Sequence, residues 1–542
     1  MRARLCCLTC LLALGSAAAA GEYLTWKELP QLPPAPGHAK QVGVAGPFAG
    51  VHNGALIVAG GANFPEAAPW EGGEKVWWDD VFVLEKDGAP AEEWITQESL
   101  KLPRPLAYGA AVSAEGGVMC IGGCDAERCY PDVFLLRWDP DGKTIEAKPL
   151  PPLPRPLAFM AAAKIGRRVY VVGGQEAMKG ARATRHLLVL ELSEDEDGAA
   201  GPWEELPPCP GPPRILPVVA AQSDGVTDCL YVFSGRNVAP GQPTEMLTDA
   251  WKFHPASKQW TRAADIALPG GDPRCVMAAT GIASGANHIL VFGGADGRLF
   301  RELERLGQAI EEAEDDATAD ELKAKQRDIL TNHPGFSRDI LAYHTVTDTW
   351  SPAGETPGAS QVTTLAVRWD DAIVIPSGEI RPGVRTPKVW QAEPLPAGGL
   401  GTPGYVVLGG YLVVLVAMGV YFARREKTTD DFFKAGRRIP WWAAGISIYG
   451  TQLSAITFMA IPAKTFATDW RLYLANLAIL MVAPFIIFLF LPFFRRLDVT
   501  TAYEYLEKRF NVGARLLASA LFMLFQFSRI GIVLFLPSLA LS

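Results

Sequence analysis

The chain is poor in the residues that build metal and thiol sites. It has seven histidines and nine cysteines among 542 residues, and no Cys/His spacing resembles a zinc site. No Tyr/Cys/His cluster of the kind that holds copper can be assembled. Net charge is −8, and no basic stripe with interleaved aromatics occurs, which argues against a nucleic-acid partner. Charge is scarce again in long runs after about Ala397. The part before that point is rich in Gly, Pro and Trp and reads as soluble. The two parts are therefore read separately.

The N-terminus, MRARLCCLTCLLALGSAAAAGEY, has two arginines, a short apolar core and an Ala-rich segment. The core is too short to span a bilayer, so residues 1–20 read as a secretory signal. Cys6, Cys7 and Cys10 would leave with it. Cys120, Cys124, Cys129, Cys209, Cys229 and Cys275 remain. An even number in an exported domain permits disulfides, and Cys124 and Cys129 could bridge across a loop; buried free thiols are the alternative.

Internal repeats organise residues 21–396. The runs ALIVAGG, MCIGG, VYVVGG, LYVFSG, ILVFGG and AIVIPSG end at Gly61, Gly123, Gly174, Gly235, Gly294 and Gly378. Each is followed by a second strand signal, such as DDVFVLE or TDAWKFH. Four Pro-rich turns before these units carry Arg104, Arg155, Arg214 and Arg274. A tryptophan opens the outermost strand at Trp94, Trp203, Trp260 and Trp350. The last unit lacks that strand, and TWKELPQLPPAP with Trp26 supplies it from the other end of the chain. Six units closed this way leave no free edge. They resemble the kelch family, which implies an all-β six-bladed propeller. A charged, Pro-poor stretch with helical spacing, about 299–337, reads as an insertion over one mouth.

The stretch SGEIRPGVRTPKVW, Ser377 to Trp390, ends a buried strand on a carboxylate and two guanidinium groups. Together with GGADGRLF, YHTVTDTWSPAGETPG and AGPFAGVHNGALIVAGGANF, it resembles the bacterial N-acetylneuraminate epimerase (sialic acid mutarotase) family. The resemblance implies Glu379 as general base and Arg385 in the same site. The motif lies in the last blade here and mid-chain in the family, which implies a cyclic permutation that a closed ring tolerates. Changing the anomer requires a base within hydrogen-bond reach, about 3 Å, of the anomeric hydroxyl. Such chemistry needs no cofactor. Arg385 would either fork the sugar carboxylate or favour the ionised form of Glu379. Arg104, Arg155, Arg214 and Arg274 either ring the same face and attract an acidic sugar or tie blades together. Arg381 reads as a rim charge. Asn63, Glu74 and Glu176 are further rim candidates.

After a Pro/Gly-rich linker, residues 397–403, apolar runs predict four membrane helices within 404–542. They start near Gly404, Pro440, Leu472 and Ala514. Basic clusters follow the first and third, which puts those loops inside and the propeller outside, in the periplasm of a bacterial inner membrane. DFFKAGRRIPWW, GTQLSAITFMAIPAKTF and LDVTTAYEYLEKRF resemble the sodium:solute symporter family. That resemblance implies a broken helix from Pro440 to Ala463. Gly450 and Leu453 would offer carbonyls to Na⁺, and Gln452, Ser454 and Thr457 would face substrate. It also implies Arg529 as a carboxylate clamp, with Asn476 behind it. The alternative is that hydroxyls back-bond within their helices and Arg529 snorkels. The family has a dozen or more spans, so this chain is expected to be a fragment that does not transport alone. The combined expectation is an exported sialic acid mutarotase tethered to part of a Na⁺-coupled sialic acid symporter. The alternative is a non-catalytic kelch sugar-binding or sensor module on a symporter for another organic acid or sugar.

Overall fold

The structure, a computed structural model, describes residues 23–86, 93–394, 401–424 and 439–452. It also describes 461, 465, 470–497, 499 and 501–541. The expected signal, residues 1–20, lies outside them. The chain divides into two compact units that meet between Leu395 and Pro396.

The first unit is a propeller of six four-stranded antiparallel sheets. Blade 1 runs from its inner strand Phe48–His52 to its outer strand Trp94–Ile95. Blade 2 runs from Ala110–Ala114 to Thr144–Pro149, blade 3 from Ala161–Ile165 to Glu204–Leu206, and blade 4 from Val218–Ser223 to Gln259–Ala263. Blade 5 runs from Thr280–Ser284 to Thr349–Glu355. Blade 6 takes three strands from the end of the unit and its outer strand, Leu24–Leu29, from the start. That strand pairs with Val389–Pro394 over six residues, from Leu24 opposite Pro394 to Leu29 opposite Val389. The ring is therefore closed by chain pairing, as the misplaced Trp26 segment predicts.

The second strand of each blade is buried on both faces, which is why it reads as an unbroken apolar run. Inner strands carry small residues because six of them converge on the axis. A side chain at Gly50, for example, would come within 2.7 Å of Val118 in the next blade. The recurring tryptophans tie blades edge to edge. The indole N–H of Trp94 donates to Pro30 O (2.8 Å), Trp203 to Pro151 O (2.9 Å), Trp260 to Pro207 O (2.8 Å) and Trp350 to Ala264 O (3.0 Å). Each acceptor follows the outer strand of the preceding blade. One such bond contributes about 1 kcal/mol.

A second sixfold feature lies at the axis. Just before each inner strand one residue adopts left-handed φ: Gly46, Tyr108, Phe159, Leu216, Ala278 and Thr363. Each donates its backbone N–H to the carbonyl of its counterpart in the preceding blade. Tyr108 bonds to Gly46 (2.8 Å), Phe159 to Tyr108 (2.7 Å), Leu216 to Phe159 (2.8 Å), Ala278 to Leu216 (3.1 Å) and Thr363 to Ala278 (2.9 Å). Gly46 bonds back to Thr363 (2.6 Å) and closes the circle.

The insertion forms two helices, α1 (Arg298–Glu311) and α2 (Asp316–Thr331), inside blade 5. Glu304 of α1 accepts from Thr244 Oγ1 (2.6 Å), and Arg381 donates to Thr331 O (2.8 Å), so both helices are bonded to neighbouring blades.

The second unit contains helices Gly401–Ala423, Trp441–Gln452, Arg471–Phe485 with its continuation to Arg496, Ala502–Arg509 and Val512–Leu541. Among the described residues, Tyr405–Ala423 and Leu477–Arg496 are long and apolar enough to cross a membrane, matching two of the four expected spans. Residues 453–460 of the expected second span lie outside the described residues. The fourth falls within the single helix Val512–Leu541.

The axial circle can be tested by substitution. At Gly46 a Cβ would lie 2.6 Å from Tyr108 N and Cδ1, and φ is +66°. Gly46→Val should cost roughly 1–3 kcal/mol in denaturant unfolding. Ala278→Gly, at a ring position that already tolerates a Cβ, should stay within about 1 kcal/mol of wild type. Equal effects would contradict a ring held by local backbone geometry.

Candidate functional site

Each blade repeats one local device where its second strand ends. Two consecutive residues take positive φ, Gly60 and Gly61 in blade 1 through Ser377 and Gly378 in blade 6. The following residue then forms a backbone bridge with the residue just before the axial ring position, bonded both ways in five blades and through Ala295 N–H alone in blade 5. These bridges pair Ala62 with Ala45, Cys124 with Ala107, Gln175 with Ala158, Arg236 with Ile215, Ala295 with Met277 and Glu379 with Val362. At Gly60 a Cβ would sit 2.4 Å from Leu106 O, so that position requires glycine. Blades 4 and 6 instead have Ser234 and Ser377, whose hydroxyls accept from Val276 N (2.9 Å) and Val44 N (2.8 Å) of the next blade. These two blades are the ones in which the bridge residue is charged.

Glu379 is fixed on both sides by its bridge to Val362, with N···O distances of 2.9 Å each way. It then opens a tight hairpin through Pro382 and Gly383 that returns at Arg385, its register partner. Cross-strand partners share a face, so the six-residue spacing sets the two side chains together. Arg385 Nη1 lies 3.5 Å from Glu379 Oε1, and the same oxygen accepts Gly383 N–H at 2.8 Å. Gly383 has φ +77°, and a Cβ there would lie 2.6 Å from Pro69. The Arg385 side chain is 5% exposed and its guanidinium packs 4.8 Å from the Phe64 ring.

Glu379 lines a cavity of about 1190 Å³, together with Pro382, Gly383, Arg236, Arg274 and His333. Phe300, Arg298 and Arg301 of α1 form part of its wall, so the insertion does cover this mouth. His333 Nδ1 accepts Gly335 N–H at 3.0 Å, and burial together with the Arg381 charge lowers its pKa. Leu216, Ala278 and Thr363 of the axial ring line this cavity and also a second one of about 360 Å³, walled by the inner strands.

The four turn arginines are not brought together. Arg104 lies 3.3 Å from Asp132 and stacks 4.6 Å from Tyr130. Arg214 is fully buried and forks Asp249 at 3.1 and 2.7 Å, with a third bond to Ser234 O at 3.0 Å. Arg274 bonds Asp339 at 2.7 Å and Ser337 at 3.2 Å. Asp132 and Asp249 precede, and Asp339 begins, the third strand of the blade that the arginine leads into. In blade 3, His186 holds that place, and Arg155 bonds His186 (3.2 Å) and Glu205 (3.1 Å), with Glu176 at 3.6 Å. The repeat therefore makes a brace within blades 2 to 5, and Arg274 alone of the four lines the cavity. Asn63 is likewise committed: it is buried, donates to Gly43 O (2.8 Å) and accepts the Trp78 indole N–H (2.8 Å). Glu74 is exposed and does not line this cavity.

The six described cysteines are free and buried. Cys124 and Cys129 are bridge partners with free thiols, raised by burial to about 12 and about 11 respectively. A group that sequence spacing did not reveal is Asp224, Cys229 and His254, whose ligand atoms lie within 4.8 Å of one another. Lys252 Nζ occupies Asp224 Oδ2 at 3.1 Å, and Cys229 Sγ lies 3.3 Å from His254 Nδ1. The other missed residue is Arg236, although LYVFSGRN presents it directly after the repeat glycine, as AIVIPSGE presents Glu379.

In the second unit, Gly450 lies in Trp441–Gln452, and Gln452 is that helix's last residue. Leu453, Ser454 and Thr457 lie outside the described residues. Arg529 is exposed on Val512–Leu541, and Asn476 lies in Arg471–Phe485. Thr451 Oγ1 back-bonds to Ser447 O (2.7 Å) and Ser528 Oγ to Leu524 O (3.1 Å).

Comparison with known proteins divides the chain in the same way. Residues 14–146 and 150–396 match the N-acetylneuraminate epimerase family, and residues 432–535 match the sodium:solute symporter family. The sodium/sialic acid symporter NanT of Aliivibrio fischeri is 51% identical over 141 residues, 26% of this chain and 28% of that protein. The N-acetylneuraminate epimerase of Brucella melitensis is 40% identical over 131 residues, 22% of this chain and 32% of the relative. That of Haemophilus influenzae is 27% identical over 248 residues, 46% of this chain and 60% of the relative. The chain thus spans less than two thirds of each. With a closed six-bladed propeller and a family match running through all six blades, the chain belongs to the N-acetylneuraminate epimerase family.

Proposed function

We propose that the propeller interconverts the anomers of N-acetylneuraminate, with Glu379 as the base. The observation that carries this reading is a carboxylate in a cavity wall, held by two backbone bonds and a turn N–H and backed by a buried arginine. Glu379 takes the proton of the anomeric hydroxyl. The bond from the anomeric carbon to the ring oxygen breaks, and Glu379 passes the proton it took to the ring oxygen. The freed ketone turns its other face, the ring recloses, and the proton returns. Arg385 lies behind the carboxylate and does not line the cavity, which supports a role in positioning Glu379 over a direct fork on the sugar. The names of the Brucella and Haemophilus relatives support the substrate.

The second unit is proposed as the opening part of a Na⁺-coupled sialic acid symporter. Gly450 and Leu453 would belong to a partial Na⁺ site, and Gln452, Ser454, Thr457 and Arg529 to the substrate path. The NanT relative supports this assignment. Export by the N-terminal segment would place the propeller on the outer side, tethered to deliver one anomer at high local concentration.

Proton NMR of the full chain in detergent, with N-acetylneuraminate added as one anomer, tests the enzyme. Exchange should exceed the buffer rate and fall about 10²–10⁴-fold in Glu379→Gln, with sugar binding kept. Binding without exchange in wild type would reduce the propeller to a sugar-binding module. When the remaining symporter helices are supplied, uptake at low substrate should be greater with the propeller fused than with it separated. Equal uptake would contradict the tether, and a propeller protected from protease added outside the inner membrane would contradict export.

A further inference from the structure

Arg236 occupies in blade 4 the position that Glu379 occupies in blade 6. Both follow a Ser-Gly pair with positive φ, both bridge to the residue before an axial ring position, and both line the same cavity. The other four blades place Ala62, Cys124, Gln175 and Ala295 there. Repeat geometry alone does not require a charge at this position, and the two charges are of opposite sign.

The guanidinium of Arg236 is held but not neutralised. It packs 4.7 Å from the Phe300 ring of α1. Its Nε is buried with no hydrogen-bond partner, and it makes no salt bridge among the described residues. Glu304, the nearest acid on α1 to influence it, is bonded instead to Thr244 N (3.3 Å) and Oγ1 (2.6 Å). The other cavity arginines differ. Arg274 is committed to Asp339, Arg298 is bonded to Asp296 and largely exposed, and Arg301 is exposed. Burial pushes the Arg236 guanidinium below its ordinary pKa, and the charges of Glu304 and Glu379 push it back. Arg236 is partly buried, with its Nε fully so, and a cation so placed without a bonded anion is costly; an incoming carboxylate relieves that cost.

We infer that Arg236 is the carboxylate-binding residue of the propeller, receiving the acid group of a sugar whose anomeric hydroxyl is presented to Glu379. This rests on the mutarotase reading and names the group that selects its substrate class. In a 2-keto acid sugar the carboxylate and the anomeric hydroxyl are borne on the same carbon. A cation that binds one must stand near the base that serves the other, and Arg236 and Glu379 line the same cavity at equivalent positions of their blades. Phe300 fixes the guanidinium plane, so α1 contributes to acid recognition as well as to the cavity wall.

The test is calorimetric binding to the full chain in detergent, using N-acetylneuraminate and its methyl ester, alongside anomer exchange of both. Wild type should bind the acid about 10- to 100-fold more tightly than the ester. Arg236→Met should bring the acid down to the level of the ester and leave the ester unchanged; Arg236→Lys should recover part of the difference. The wild-type-to-variant difference isolates this site from any binding by the C-terminal helices. Thermal unfolding checks that the variants fold. If Arg236→Met does not, the wild-type preference for acid over ester together with Arg236→Lys still decides. Equal wild-type affinity for acid and ester, or a preference that survives Arg236→Met, overturns the inference. Absence of exchange in wild type while the acid preference depends on Arg236 overturns the catalytic reading and leaves this one standing.

Discussion

The circle of six backbone hydrogen bonds around the axis is the constraint on which the site depends. Each donor and acceptor belongs to a residue in the left-handed region, and each link crosses a blade boundary. Shifting one blade would strain its ring contacts to both neighbours. The residue before each ring position forms the backbone bridge that fixes the residue after the repeat glycine. Thr363 in the ring thus sets Val362, and Val362 sets Glu379. Leu216 sets Ile215, and Ile215 sets Arg236. The fold turns a repeated backbone device into side chains aimed at one cavity from several directions.

Which residues carry chemistry follows from what each repeat position does elsewhere. The turn arginines recur because they brace the entering turn of blades 2 to 5 to the third strand, and in blades 2, 4 and 5 the carboxylate partner is already in place. The tryptophans recur because blades must be joined at their outer edges. Glu379 and Arg236 break the repeat at a position filled in other blades by Ala, Cys or Gln. Departure from a repeat, at a position the backbone has made rigid, is the stronger functional signal here. Recurrence marks structure.

Much of this was legible in the sequence. Six apolar runs ending in Gly-Gly or Ser-Gly gave the blade count, and a stray Trp26 segment gave the closing strand. The family resemblance put Glu379 and Arg385 in one site, and the strand register makes them cross-strand partners. The four arginines were harder to place, because a recurring charge reads equally as a ring of binding groups or as a set of braces. Their acids, such as Asp249 and Asp339, lie 35 and 65 residues away in sequence. Arg236 was visible directly after its glycine, but its significance lay in its equivalence to Glu379, which only the bridge pairing makes explicit. Asp224, Cys229 and His254 come together across adjacent strands of blade 4, a proximity that linear spacing does not express. The membrane helices were read from unbroken apolar length, and two of them pass that test among the described residues.

In the proposed function one cavity, lined by Leu216, Ala278 and Thr363 of the axial ring, receives the sugar between Glu379 and Arg236. The most direct measurement is a crystal structure of the protein with N-acetylneuraminate bound. The sugar should lie in the cavity under α1, with its anomeric oxygen at Glu379 and its carboxylate on Arg236. Sugar seated elsewhere on the propeller, or with its carboxylate turned away from Arg236, would contradict that function.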